Sequence, residues 1–184
     1  EDGLISNHQG KGNIVLSNHD VKAGGLEKIG NPIIDFCLQP VDEKVLTIGF
    51  QPATHKHQEV LKLRPSSIVA VIDITYYSQK MPVGFAMVYM PYSILEKSNV
   101  DLENTDSVYE YYMKLLTSSG IYSDTKLRMR KARERLANIL EIPEEEAILI
   151  LEEELYTQYD TPVLSQKIYM TADLYELSLR RKNK

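Results

Sequence analysis

Apolar and polar positions change rhythm repeatedly along the chain, and each change predicts an element. Lys44 to Phe50 alternates and reads as a strand ended by Pro52. Residues 53–63 carry Val60, Leu61 and Leu63 on one side of a short helix. Ser67 to Ser78 is dense in Val, Ile, Thr and Tyr, which favour a pleated surface. Gln79-Lys80-Met81-Pro82 turns the chain, and Val83 to Met90 is the return strand, running up to Pro91. Ser93 to Lys97 makes one helical turn. A longer helix starts at a cap formed by Asp106-Ser107 and runs through Ser118, with Gly120 after its end. Its Val108, Tyr111, Tyr112, Leu115 and Leu116 recur at helical spacing. Lys126 to Arg130 alternates charged and apolar side chains as a strand does, and Lys131 to Leu140 is a helix closed by Ile142-Pro143. Ala147 to Tyr156, Val163 to Met170 and Leu174 to Leu179 read as three more strands. Strands joined largely by hairpins, with helices inserted, predict an α+β fold around a mostly antiparallel sheet rather than βαβ units.

Two segments precede this block. Leu4-Ile5 and Ile14-Val15-Leu16 flank a polar tip, a hairpin pattern in which Lys11 stands between Gly10 and Gly12. Such a tip can approach a phosphate backbone or a narrow groove, and an ordinary surface turn has the same composition. Residues 17–32 hold Asn18, Gly24, Gly25, Gly30, Asn31 and Pro32 with little periodicity and read as a linker. Inside the main block, Tyr77-Ser78-Gln79-Lys80-Met81-Pro82-Val83 echoes the stretch from Tyr156 to Pro162-Val163. Each precedes a strand ending in Tyr-Met (Tyr89-Met90 and Tyr169-Met170), which hints at a pseudo-symmetric sheet with room for a cavity between its halves.

Composition narrows the function classes. With 184 residues the chain accommodates one well-buried domain plus an appendage. A net charge of −5 and a pI near 5.4 argue against a nucleic-acid-binding surface over its bulk, so any DNA contact is local. The single Cys37 excludes an internal disulfide or multi-cysteine zinc site and fits a reducing cytosol. His55 and His57 point to different faces of their helix, so no metal site and no cofactor is expected. Without a membrane-length apolar run or a signal-peptide pattern, the expected location is the cytoplasm, with no membrane partner. There is no phosphate-binding glycine loop or nucleophile elbow. Glu144-Glu145-Glu146 reads as charge at a turn, and Glu152-Glu153-Glu154 as solvation of an edge strand.

The string Gly3-Leu4-Ile5 followed by Gln9-Gly10-Lys11-Gly12 and an apolar strand resembles the wing of GntR-family winged-helix repressors. From about Ile68 to Arg181 the chain resembles the UTRA domain, the effector-binding module of the HutC-type branch of these regulators. The residues that carry it are Pro82, Tyr89-Met90-Pro91, Asp106-Ser107-Val108-Tyr109, Gly120-Ile121, Ala132, Ala137, Leu140, Ile142-Pro143, Ala147-Ile148-Leu149, Pro162-Val163, Tyr169, Asp173 and Tyr175, in order. The resemblance implies a chorismate-lyase-like fold with a ligand cavity, in a homodimer. It divides the chain into a winged-helix remnant (residues 1–16), a linker (17–32) and an effector-binding domain (33–184). It also implies operator DNA as a partner of the whole regulator, with Gln9, Gly10, Lys11 and Gly12 as the contacts in this chain.

Carried over residue by residue, the family's ligand positions become Ile74 and Tyr76, where members binding anions commonly have Arg, together with Ala86 and Leu164 in place of Glu, and Met170 in place of an aromatic. Burying a charged ligand against such side chains costs several kcal/mol, so the expected effector is small and apolar or aromatic. Backbone N–H groups at a helix start near Asp35 and Phe36 could add polar contacts. Lys126, Arg128 and Arg130 offer charge, and their alternation equally describes a solvated sheet face. Three functions stay open: a ligand-sensing domain of a transcriptional repressor, a chorismate-lyase-like enzyme, and a dimerisation module with no ligand. The enzyme reading lacks cationic and acidic groups at the carried-over positions.

Overall fold

The computed structural model describes residues 25–181. Ile29–Leu177 forms one compact unit. Residues 25–28 and 178–181 are the described part of a second, where the Leu26 amide donates to the Ser178 carbonyl at 2.7 Å. The hairpin tip with Gln9, Gly10, Lys11 and Gly12 lies outside the described residues.

The main unit is a six-stranded antiparallel sheet in the order β1-β2-β3-β6-β5-β4. Its strands are β1 (Glu43–Pro52), β2 (Ile68–Ser78), β3 (Met81–Pro91), β4 (Ile121–Lys131), β5 (Ala147–Thr157) and β6 (Pro162–Thr171). Helices α1 (Pro32–Phe36), α2 (His55–Val60), α3 (Tyr92–Ser98), α4 (Thr105–Leu116) and α5 (Glu134–Leu140) fill the connections. The strand order runs outward from a central seam in two matching halves. Each half is strand, short helix, strand, hairpin, strand and helical turn. The echoed Tyr-to-Pro segments occupy equivalent hairpins, and each hairpin carries a register shift at the same place, Tyr76/Tyr77 in one and Leu155/Tyr156 in the other. At the seam, Gly84 to Tyr89 of β3 pairs with Met170 to Ser165 of β6.

Strand alternation gives the sheet two unlike faces. One face presents Ile72, Ile74, Tyr76, Ala86, Val88, Leu151, Leu155, Leu164, Ile168 and Met170, all essentially sealed from solvent. Helix α4 packs here through Val108, Tyr112 and Leu116, which recur at helical spacing. Ile33 of α1 presses on Gly84, where an added Cβ would stand 2.9 Å from its Cδ1 and 2.8 Å from the Tyr175 Oη. The other face carries α2 and α5. Ala137 and Leu140 of α5 pack with Phe85 of β3 and Ile148 of β5, with Met87, Ile150 and Tyr169 alongside. Leu61, just past α2, packs with Ala53 and Val69, with Val60, Leu63 and Tyr89 alongside.

Several expectations change. The strand expected over Leu174 to Leu179 is absent: Ala172–Leu174 is a 3-10 turn, and Tyr175 makes a single bridge to Cys37. The Tyr175 hydroxyl is committed instead to the Val83 carbonyl at 2.9 Å, and the Glu176 amide to the Phe36 carbonyl. The α4 cap is Asn104 rather than Asp106-Ser107, its Oδ1 accepting the amides of Asp106 and Ser107. Lys131 ends β4 instead of opening a helix, and the buried Ala132 exchanges backbone bonds with Glu145 and Glu146 before α5 starts. Asn31 and Pro32 are buried, Asn31 capping α1.

Candidate ligand-binding site

On the α2/α5 face, directly over the seam, the two helices leave a cleft of about 310 Å³. Its floor is Met87 and Tyr89 of β3 and Ser165, Lys167 and Tyr169 of β6, with Glu152 and Glu154 of β5 beside them. Lys56, His57, Val60 and Leu61 form one wall and Arg135 of α5 stands at the other. The α2 wall is set by a capping box. Thr54 Oγ1 accepts the His57 amide at 3.3 Å, and the Thr54 amide donates to His57 Nδ1 at 3.4 Å. That bond requires Nδ1 without a proton, and burial, with Lys56 nearby, holds the His57 pKa below its ordinary value. The neutral imidazole lies 4.6 Å from the Tyr89 ring, tilted by 38°.

The charges in and around the cleft are unevenly matched. Glu152 takes the Lys167 ammonium at 2.8 Å and Arg128 of β4 at 3.5 Å, so one carboxylate serves two cations. The Lys167 hydrogen bond, more than any other contact, lowers the Glu152 pKa, and the same bond raises that of Lys167. Asp73, opposite Met87 in the sheet register, meets Arg135 only at 3.9 Å. Its Oδ1 is buried with no hydrogen-bond partner. Burial pushes the Asp73 pKa up and Arg135 offsets this only in part. Tyr89 and Tyr169 are raised chiefly by burial. The assembly has apolar surface, a ring platform and separated charges of both signs, as in small-molecule sites.

The carried-over positions lie on the opposite face. Ile74, Tyr76, Ala86, Leu164 and Met170 are each at most 1% exposed. The Tyr76 hydroxyl accepts from Asn31 Nδ2 at 2.8 Å, and the Tyr112 hydroxyl of α4 donates to Gln166 at 2.7 Å, which ties α4 to the sheet. A ligand touching these five side chains has to displace core packing first. Asp35 and Phe36 sit at the end of α1, not its start, and the first amides of α1, those of Ile33 and Ile34, point to Asn31 Oδ1. Lys126 and Arg128 project from the α2/α5 face of the edge strand β4, and Arg130 shares their side of the alternation. The acidic run Glu152–Glu154 is not edge solvation. β5 lies inside the sheet, and Glu153 is buried against Gln166 Nε2 at 2.6 Å and Thr125 Oγ1 at 3.0 Å.

Sequence reading passed over Asp73, Tyr89, Arg135 and Lys167. The available signal was parity: Asp73 lies between Ile72 and Ile74, so it faces away from the core they share.

Comparison with protein families matches the UTRA domain over residues 40–176. Among solved structures, a GntR-family transcriptional regulator from Enterococcus faecalis V583 is 19% identical, covering 76% of this chain and 100% of that one, with a TM-score of 0.66. The possible transcriptional regulator YydK from Bacillus subtilis is 14% identical over 98% of this chain and 77% of its own, with a TM-score of 0.68. The C-terminal domain of a histidine utilization repressor from Pseudomonas syringae is 13% identical over 77% and 100%, with a TM-score of 0.64. A search of curated protein sequences found no match.

Proposed function

The chain belongs to the UTRA domain family, and from that premise we propose that it is the effector-binding and dimerisation module of a GntR-type transcriptional regulator. In this reading a small molecule occupies the cleft over the seam and changes how the whole regulator engages operator DNA. The observation that carries the reading is the cleft itself: it lies between two helices from different halves of the sheet, so a ligand there bears on both halves at once. The similar structures, among them transcriptional regulators and a histidine utilization repressor, support the same class. No described helix is long and apolar enough to cross a membrane.

Thermal-shift screening of metabolites tests this. A ligand bound only by the native state adds about 2.7 kcal/mol at a hundredfold excess over Kd, which for a domain of this size is about 5–10 °C. Stabilisation of that order, lost in Lys167→Met and Tyr89→Ala, is the expected result. A ligand whose stabilisation survives both substitutions overturns the placement.

A further inference from the structure

The charges of the cleft are matched and its hydroxyls are free, and this division restricts what fits. The volume, about 310 Å³, is at the small end for ligand pockets. The sheet register lays the floor out in rows. In one, Met87 of β3 faces Lys167 of β6, which faces Glu152 of β5. In the next, Tyr89 faces Ser165, which faces Glu154. Lys167 and Arg128 supply two positive charges at this end, both on Glu152, at 2.8 Å and 3.5 Å. Glu154, which accepts from the Tyr156 hydroxyl at 2.6 Å, supplies the second carboxylate, so the end is balanced. The Glu153 carboxylate is turned to the other face, where Gln166 and Thr125 hold it. At the opposite wall Arg135 has Asp73 at ion-pair distance, 3.9 Å. Lys56, the remaining cation of the lining, is exposed to solvent.

An anion placed on Lys167 competes with Glu152 and meets Glu154. A cation placed on Glu154 meets Lys167. Either one leaves a partly buried charge without its partner, which is costly. The hydroxyls of Tyr89, Tyr169 and Ser165, by contrast, make no hydrogen bond among the described residues, and each can both donate and accept. They stand beside rings, His57 against Tyr89 and Phe85 stacked on Tyr169, with Val60 and Met87 as the apolar surface.

Resting on the reading of this cleft as the effector site, we infer that its ligand is an uncharged planar ring compound bearing an amide, as a carboxamide or a lactam does. The amide N–H donates to one hydroxyl of the Tyr89–Ser165 row and its carbonyl accepts from another. The ring lies on Met87 and the His57–Tyr89 pair. An amide suits the site because it carries donor and acceptor side by side and needs no counter-charge.

Calorimetric titration at neutral pH with three probes sharing one ring separates the requirements: nicotinamide, the anion nicotinate, and 3-(aminomethyl)pyridine, whose side chain is an ammonium. Nicotinamide is expected to bind at least about tenfold more tightly than either. Tyr89→Phe and Ser165→Ala each remove one hydroxyl and are expected to weaken nicotinamide about fivefold. Glu154→Gln tips the balanced end towards positive charge and is expected to bring nicotinate level with nicotinamide. Circular dichroism confirms that the three variants fold. If nicotinate or the amine matches nicotinamide in the unsubstituted chain, or Glu154→Gln leaves the ratio unchanged, the uncharged ligand is wrong while the cleft stands. If nicotinamide is indifferent to both hydroxyl losses, or if no probe binds and uracil and 2-piperidone also fail at millimolar concentration, the amide class is wrong. The cleft itself falls only to a ligand indifferent to Lys167→Met and Tyr89→Ala.

Discussion

Asp73 illustrates how a single buried carboxylate can lower the stability of a fold at neutral pH. Its carboxyl is desolvated without a compensating hydrogen bond, so its native pKa lies above its ordinary value. The folded protein therefore holds this proton more tightly than the unfolded chain does. Stability from this site is greatest below the unfolded value and declines as pH rises through the native one. Asp73→Asn removes the charge and keeps the shape, so the ligand-free variant is expected to melt higher than the wild type at pH 7. The gap should narrow as pH falls towards 4. Melting curves across that range check it, and a variant less stable at pH 7 would show that Asp73 is already paid for in the empty state. Parity makes some such residues legible in the sequence. Leu149, Leu151 and Leu155 put Glu153 on the core face, but the run of three acids hid it. The side of the sheet that stays open depends on which helices cover which face, and alternation within a strand carries no information about that.

At the scale of elements, α4 decides which face can receive a ligand. Val108, Tyr112 and Leu116 seal its side of the sheet, and the Asn104 side chain accepts both Asp106 and Ser107 amides at its start. Asn104→Ala is expected to cost about 1 kcal/mol through loss of the cap, read as a lower denaturant midpoint with an unchanged slope. Both inner hairpins were legible because Pro82 and Pro162 follow polar tips where Gln79, Lys80 and Asp160 take positive φ. Helix starts were less so: Asp106 and Ser107 have the right chemistry for a cap, and Asn104 has it two residues earlier. The expected last strand failed for a tertiary reason, since Tyr175 and Glu176 bond to groups outside the sheet's strand ladder.

At the scale of the whole molecule, the proposed dimer is tested at an open edge of the sheet. Among the described residues the outer edge of β4 has no strand paired to it, and Leu127 and Met129 are 47% and 59% exposed along it. A dimer is expected by light scattering at tens of micromolar, with Met129→Lys shifting the mass towards the 21.0 kDa monomer. Monomer in the unsubstituted chain would count against it. The matching halves have a different consequence. α5 packs on Phe85 across the seam, Lys62 after α2 donates to the Asp160 carbonyl of the opposite hairpin, and α4 reaches back to Lys44 of β1 through Asp106. Each half is the other's missing core. Cut between α3 and α4, the chain should give two fragments that are each unstructured alone and that recover the native circular dichroism when mixed in equal amounts. A fragment that melts cooperatively by itself would mean that the halves are autonomous. Complementation would make the seam the place where folding and ligand binding draw on the same contacts.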